Sequence, residues 1–270
     1  RPKCEVILCG NDQGVAEAAK EYGVVHIPEI PVNEFGTPYL DAAFQRAQQI
    51  AKNDLMCYVN ADMIFPPDLG HTIGKVTFKS YLLVGRRYDL DVREEVDFNS
   101  SNASVKFFRK ARREAKVFAM AGSDYFFFKK SSLGALPEFV VGRPYWDNWM
   151  IYNARQKKLP VIDATLSILA IHQKHGYSHV PENRGGTYNG PEGDVNYEIL
   201  GPLRKFELWD ATHFLDSNSM VCKVKGENYL KRKIQTLSVL KPREGLPGKW
   251  QAFIQRVLMS LYYRRKKIPY

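Results

Sequence analysis

The sequence predicts an α/β fold in which a mixed, mainly parallel sheet is flanked by helices. Three observations carry this. Short apolar runs at 4–9, 24–27 and 55–59 each stop at turn residues, amphipathic stretches separate them, and Thr37-Pro38 announces the second of those stretches. Short apolar runs bounded by turn signals suit buried strands, and strands that alternate with helices imply parallel crossovers.

Cys4-Glu5-Val6-Ile7-Leu8-Cys9 is the first strand, stopped by Gly10-Asn11-Asp12, and 13–22 is helical in pattern. Val24-Val25-His26-Ile27 follows as a second strand. Thr37 then supplies a capping residue and Pro38 a first helical position for a helix running to Lys52. That helix places Leu40, Ala43, Phe44, Ala47 and Ile50 on one face, and it feeds the third strand, Leu55-Met56-Cys57-Tyr58-Val59. A fourth strand is expected at 81–87, and 92–116 is either a basic helix or a loop. Residues 117–129 are strand-like, with Tyr125-Phe126-Phe127-Phe128 rich in β-formers. A helix from about Tyr145 to Lys157 and late strands at 161–163 and 166–171 complete the alternation. The Gly/Asn/Pro-rich stretch 181–194 is long enough to act as a lid.

Lysine and arginine outnumber aspartate and glutamate by 39 to 29, and the net charge of +10 favours an anionic partner. Much of the excess sits in 106–116 and in Arg264-Arg265-Lys266-Lys267. The tail Leu258–Tyr270 mixes Leu, Tyr and Arg, so it suits either a packed helix or a peripheral membrane contact. No apolar run reaches the length of a membrane span. The chain starts without methionine, which suggests a trimmed N-terminus. Cytoplasm or membrane periphery is the favoured location, and a secretory lumen is the alternative if an anchor was removed. Cys4, Cys9, Cys57 and Cys222 lack paired spacing and are expected as reduced core thiols.

Open parallel sheets bind ligands beyond the carboxyl ends of their strands, which directs attention to 10–12 and 60–62. Asp62 follows a strand end, where it can hold a divalent metal or simply cap the turn before Pro66-Pro67. A second cluster, His172, His175 and His179, follows an apolar run. Imidazole suits first-row metals, while any one of the three also serves as a structural histidine. In Arg143-Pro144-Tyr145-Trp146-Asp147-Asn148-Trp149 an acid lies among aromatics, so Asp147 is a candidate general base with stacking aromatics beside it. The alternative makes both tryptophans core and Asp147 a helix-start acid. Asp124, in Gly122-Ser123-Asp124, and Arg86 and Arg87 are candidates for acceptor or phosphate contact.

The succession strand-Asn-Asp, Gly-Thr-Pro helix, Tyr-Val-Asn-Ala-Asp-Met, Gly-Ser-Asp-Tyr, Gly-Arg-Pro-Tyr-Trp-Asp-Asn-Trp and a late His-Gln-x-x-His resembles the GT-A glycosyltransferases over about 4–180. The resemblance implies a catalytic domain over 1–195, with a nucleotide-sugar half to about residue 90 and an acceptor half beyond it. A helical extension over 196–270 packs on it. It implies a nucleotide-diphosphate sugar bound by Cys9, Gly10, Asn11, Asp12, Asn60, Ala61 and Asp62, and Mn²⁺ or Mg²⁺ on Asp62, His172 and His175. Asp147 becomes the base of an inverting hexosyl or deoxyhexosyl transfer, and Arg86, Asp124, Tyr145, Trp146 and Trp149 meet a glycan acceptor. Asn60 stands where the family's metal motif has its first acid. Two other functions compete: a sugar-phosphate nucleotidyltransferase, although the glycine-rich, arginine-bearing loop it needs is missing, and a non-enzymatic nucleic-acid-binding module.

Overall fold

The computed structural model describes residues 4–175, 190–240, 253–254 and 256–261. They form a mixed α/β structure whose sheets combine parallel and antiparallel strands and are flanked by helices. β1 (Ile7–Cys9) passes through α1 (Val15–Tyr22) to β2 (Val25–Ile27), and these strands pair parallel in a small sheet of their own. α2 (Leu40–Ile50) then leads to the central sheet. It comprises β3 (Leu55–Val59), β5 (Leu82–Val84), β8 (Tyr125–Lys129), β9 (Val161–Asp163), β11 (His213–Leu215) and β12 (Val221–Lys223), in the order β12-β11-β9-β5-β8-β3. A third sheet holds β4 (Met63–Ile64), β6 (Tyr88–Leu90), β7 (Lys116–Val117) and β10 (Ile171–Gln173), in the order β4-β10-β6-β7.

The aromatic run shows why the central sheet forms. Side chains alternate across a strand, so Tyr125 and Phe127 join Ile73, Tyr81, Leu83 and Ile162 on one face. Phe126 and Phe128 join Leu40, Phe44, Trp146 and Met150 on the other. All four aromatics of β8 are buried, and at about 25 cal/mol per Å² such side chains dominate the folding energy. α5 (Trp146–Gln156) and α2 cover the second of these faces.

Four expectations are corrected. The sheet is not mainly parallel: among the described residues five of the nine strand pairings are antiparallel, because β8 runs between β3 and β5 against both. A strand buried on both faces has an unbroken apolar run, the signature also expected of a parallel strand, so direction cannot be inferred from it. β1 is only half-buried, and Cys4, Cys9 and Cys57 are exposed with Cys222 intermediate, although all four thiols are free. The cause is position, since β3 is the edge of its sheet and β1 lies outside it. The region beyond 196 is not purely helical, because β11 and β12 extend the central sheet from there, with α7 (Glu227–Gln235) and α8 (Leu237–Leu240) after them. Finally, 190–194 belongs to the start of α6 (Pro191–Leu200), while 181–189 of the expected lid lies outside the described residues, as does 262–270 of the basic tail.

The stretch 92–116 resolves as a helix, α4 (Ser101–Glu114). Ser100 caps it by accepting from the Ala103 amide at 3.3 Å. Ser104, Phe107, Phe108 and Ala111 recur at helical spacing as its buried face, and they pack with Leu90 and Ile171 of β6 and β10. α3 (Leu69–Gly74) is a short helix after β4.

Candidate metal centre

The position of Asp62 follows from the way β3 ends. Beyond Val59 the Asn60 amide still donates to the Asp124 carbonyl at 3.1 Å, and a turn closed by Met63 N to Asn60 O at 3.3 Å then starts β4. β4 pairs antiparallel with β10, with Met63 opposite His172, and the Gln173 amide donates to the Asp62 carbonyl at 3.0 Å. This register delivers the Asp62 carboxylate to two imidazoles. Oδ2 lies 3.2 Å from His172 Nε2 and 2.9 Å from His175 Nε2. Burial alone would push the Asp62 carboxyl up, but hydrogen bonds from both histidines and their positive charge outweigh it and hold the group below the ordinary carboxylate range.

Asp62, His172 and His175 each offer one ligand atom, and these atoms lie within 4.8 Å of one another. Cis ligands about 2.1 Å from a first-row or magnesium ion stand about 3.0 Å apart, so the separations already suit a cation. One atom supports this reading independently. Asp62 Oδ1 is buried with no hydrogen-bond partner, an unsatisfied acceptor of the kind a cation relieves. Two imidazoles and a carboxylate fit Mn²⁺ and related first-row ions better than Mg²⁺, which prefers oxygen. His179 lies outside the described residues.

Behind Asp62, His172 and His175 runs a second set of charged side chains, in which Asp89 is the member that no local pattern of the sequence points to. His172 and Asp89 are register partners across the parallel β10–β6 pair, so their side chains share a face, and His172 Nδ1 lies 3.0 Å from Asp89 Oδ1. Arg87 Nε reaches the same oxygen at 3.0 Å, and Arg87 Nη1 donates to Asp124 Oδ2 at 2.8 Å. Asn60 Nδ2 donates to Asp124 Oδ1 at 3.1 Å and closes the chain. The Arg87 guanidinium also lies 4.3 Å from the Phe118 ring centroid. An acid hydrogen-bonded to the far nitrogen of a ligating histidine fixes its tautomer and orientation.

Asp124 pairs with Arg87 and Asn60, and Arg87 with two acids, so an acceptor or phosphate at either side chain would compete with these bonds. The Asn60 amide nitrogen is engaged by Asp124. Arg86 donates through Nη1 to the Phe118 carbonyl at 3.3 Å and keeps a buried Nε without a partner.

Asp147 lies in the first turn of α5, half-buried. Burial pushes its carboxyl up to about 7, backbone amides of Asn148 and of Asp147 itself pull it down, and the Asp124 charge pushes it up again. The helix-start reading of this acid is what the structure shows, with Asp147 in the first turn of α5. Tyr145, the residue before the helix, takes the left-handed conformation at φ 86°, a strained state for a non-glycine residue. The loop ahead of it is braced by Arg143, whose Nε donates to Glu192 at 3.1 Å, and by Asn196, which bonds Val140 and Pro144.

Trp146 and Trp149 are 6% and 8% exposed and belong to the core, which corrects their assignment to acceptor stacking. Trp146 packs against Tyr58 and Phe126 at 4.9 and 5.2 Å between centroids. Tyr145 stays half-buried against Tyr197 at 5.3 Å. At the end of β1, Gly10 adopts φ 106° and its carbonyl bonds His26 Nε2 at 2.9 Å, while Cys9, Asn11 and Asp12 are exposed. The Tyr58 hydroxyl is pushed up by burial and then by the carboxylates of Asp124 and Asp62, which lie near the end of β3. No protein-family model matches the chain, and no curated protein matches it.

Proposed function

We propose that this chain is a metal-assisted glycosyltransferase of the GT-A type, moving a sugar from a nucleotide diphosphate to a hydroxyl of a glycan or other acceptor with inversion. The observation that carries the reading is the meeting of Asp62, His172 and His175 at the end of a central strand, with the unsatisfied Asp62 Oδ1 among them. The GT-A likeness of the sequence motifs agrees with it.

In this reading Asp62, His172 and His175 hold Mn²⁺ or a similar ion, which supplies positive charge against the diphosphate leaving group. The turn Asn60-Ala61-Asp62 and the exposed Cys9, Asn11 and Asp12 border the nucleotide, and Gly10 permits the sharp exit from β1. Asp147 takes the proton of the acceptor hydroxyl as that oxygen bonds the anomeric carbon and the bond to the diphosphate breaks. A carboxyl raised to about 7 is a stronger base than an ordinary one.

Calorimetric titration with UDP, GDP and TDP, with and without Mn²⁺, tests the proposal. Binding of one nucleoside diphosphate that strengthens with Mn²⁺ is expected. Metal-independent binding of all three, or none at all, counts against it. Tight, salt-sensitive binding of single-stranded nucleic acid would favour the non-enzymatic alternative.

A further inference from the structure

We propose that the exposed face of α4 is a docking surface for an anionic lipid bilayer. The helix buries Ser104, Phe107, Phe108 and Ala111, so the opposite face is left to solvent, and it carries Lys106, Arg109, Lys110, Arg112 and Arg113, all exposed. Lys116, exposed in β7, continues the series. Within the helix, spacing aligns them in two adjoining ridges, 105-109-112 and 106-110-113. On the helix itself the one acid is Glu114, 4.0 Å from Lys110, and the exposed Asp91 of the neighbouring loop also lies within electrostatic reach of Lys110. Among the described residues Lys106, Arg109, Arg112 and Arg113 have no ion pair.

Cations packed this closely on one helix repel each other, a cost that an anionic partner removes. The shape of the surface points to which partner. Val105, 54% exposed, opens one of the ridges, and an apolar side chain there enters a headgroup layer without leaving a polar group unsatisfied. A 14-residue helix, about 21 Å long, presents a line suited to a plane. A single-stranded nucleic acid would want aromatic rings between the cations, and the two aromatics of α4 face inward. The geometry leaves the metal centre accessible to a docked protein. Tyr88, Leu90 and Ile171 face α4, so by alternation Asp89 and His172 face away from it.

The test is co-sedimentation of the whole chain with phosphatidylcholine vesicles made with and without phosphatidylserine. Binding is expected only with phosphatidylserine, falling as salt rises. Each basic side chain near such a surface strengthens attachment about fivefold, so Arg109→Gln with Arg113→Gln should weaken it roughly 30-fold. Both side chains are exposed, and an unchanged circular dichroism spectrum and melting temperature would exclude misfolding. Val105→Asp should weaken binding as well. Equal binding to neutral vesicles, or undiminished binding of the double variant, overturns the proposal. So does loss of nucleic-acid binding in the double variant when the parent ignores vesicles.

Discussion

Asp89→Asn is the substitution that probes the proposed metal centre most selectively. Asp89 is not in contact with the ion in the proposed arrangement; it acts by holding His172 Nδ1 at 3.0 Å, with Arg87 Nε on the same oxygen at 3.0 Å. The His172 side chain is 6% exposed and that of Asp89 28%, so their bond lies where water competes poorly. Loss of such an outer partner weakens metal affinity by about 10- to 100-fold, or about 1.4 to 2.7 kcal/mol, within the range of one charge-assisted hydrogen bond. The amide is isosteric and its oxygen can still accept from Nδ1, so the fold persists while the charge is lost. The assay is Mn²⁺ titration by calorimetry on four proteins: parent, Asp89→Asn, His172→Ala, and the two combined. Coupling is expected, with the Asp89 substitution nearly silent once His172 is gone. Unchanged Mn²⁺ affinity in Asp89→Asn, or an equal loss with and without His172, rules out a supporting role for Asp89.

Asp147→Asn should abolish transfer and leave donor binding intact, since a lost base affects chemistry and not ground-state affinity; retained turnover would remove Asp147 from the mechanism. In the parent the transfer rate should climb as pH rises through about 7 and then level off, because the base must be ionised. The same shift fixes the sign of a stability effect. A carboxyl raised in the folded state costs stability as pH climbs from the unfolded value near 4 toward about 7, so Asp147→Asn should melt above the parent by a margin that grows over that window and vanishes in acid. Asp62→Ala should weaken nucleoside diphosphate binding only when metal is present; an equal loss in EDTA would count against ligation. Arg143→Met takes the counter-charge from the buried Glu192 and leaves it the Asn33 and Thr37 hydrogen bonds, so a destabilisation of about 3 kcal/mol in urea is expected.

The sequence made the elements legible where the pattern was local. The apolar runs at 55–59 and 161–163 lie where the pattern puts them and β5 falls inside 81–87, while 92–116 reads equally as helix or loop until α4 is seen to pack on β6 and β10. Asp62 and the paired histidines were visible because each follows an apolar run, and ligands gather at strand ends. Asp89 was not visible, because its partnership with His172 comes from the register of two strands 83 residues apart, which no local pattern encodes. Trp146 and Trp149 misled for a related reason. An aromatic beside an acid looks the same in a core helix as in a sugar site until the face of α5 turned toward β8 is known.

Arg87 spans Asp89 on β6 and Asp124 at the start of β8, and only a planar, forked cation serves two such acids at once. Lysine, with a single point of charge, would leave the carboxylates facing each other with one of them uncompensated. The three positions are therefore expected to drift together during divergence. A homologue lacking the arginine should also have replaced Asp89 or Asp124 with a neutral residue, and its covariation would be detectable in an alignment well before any assay of the protein.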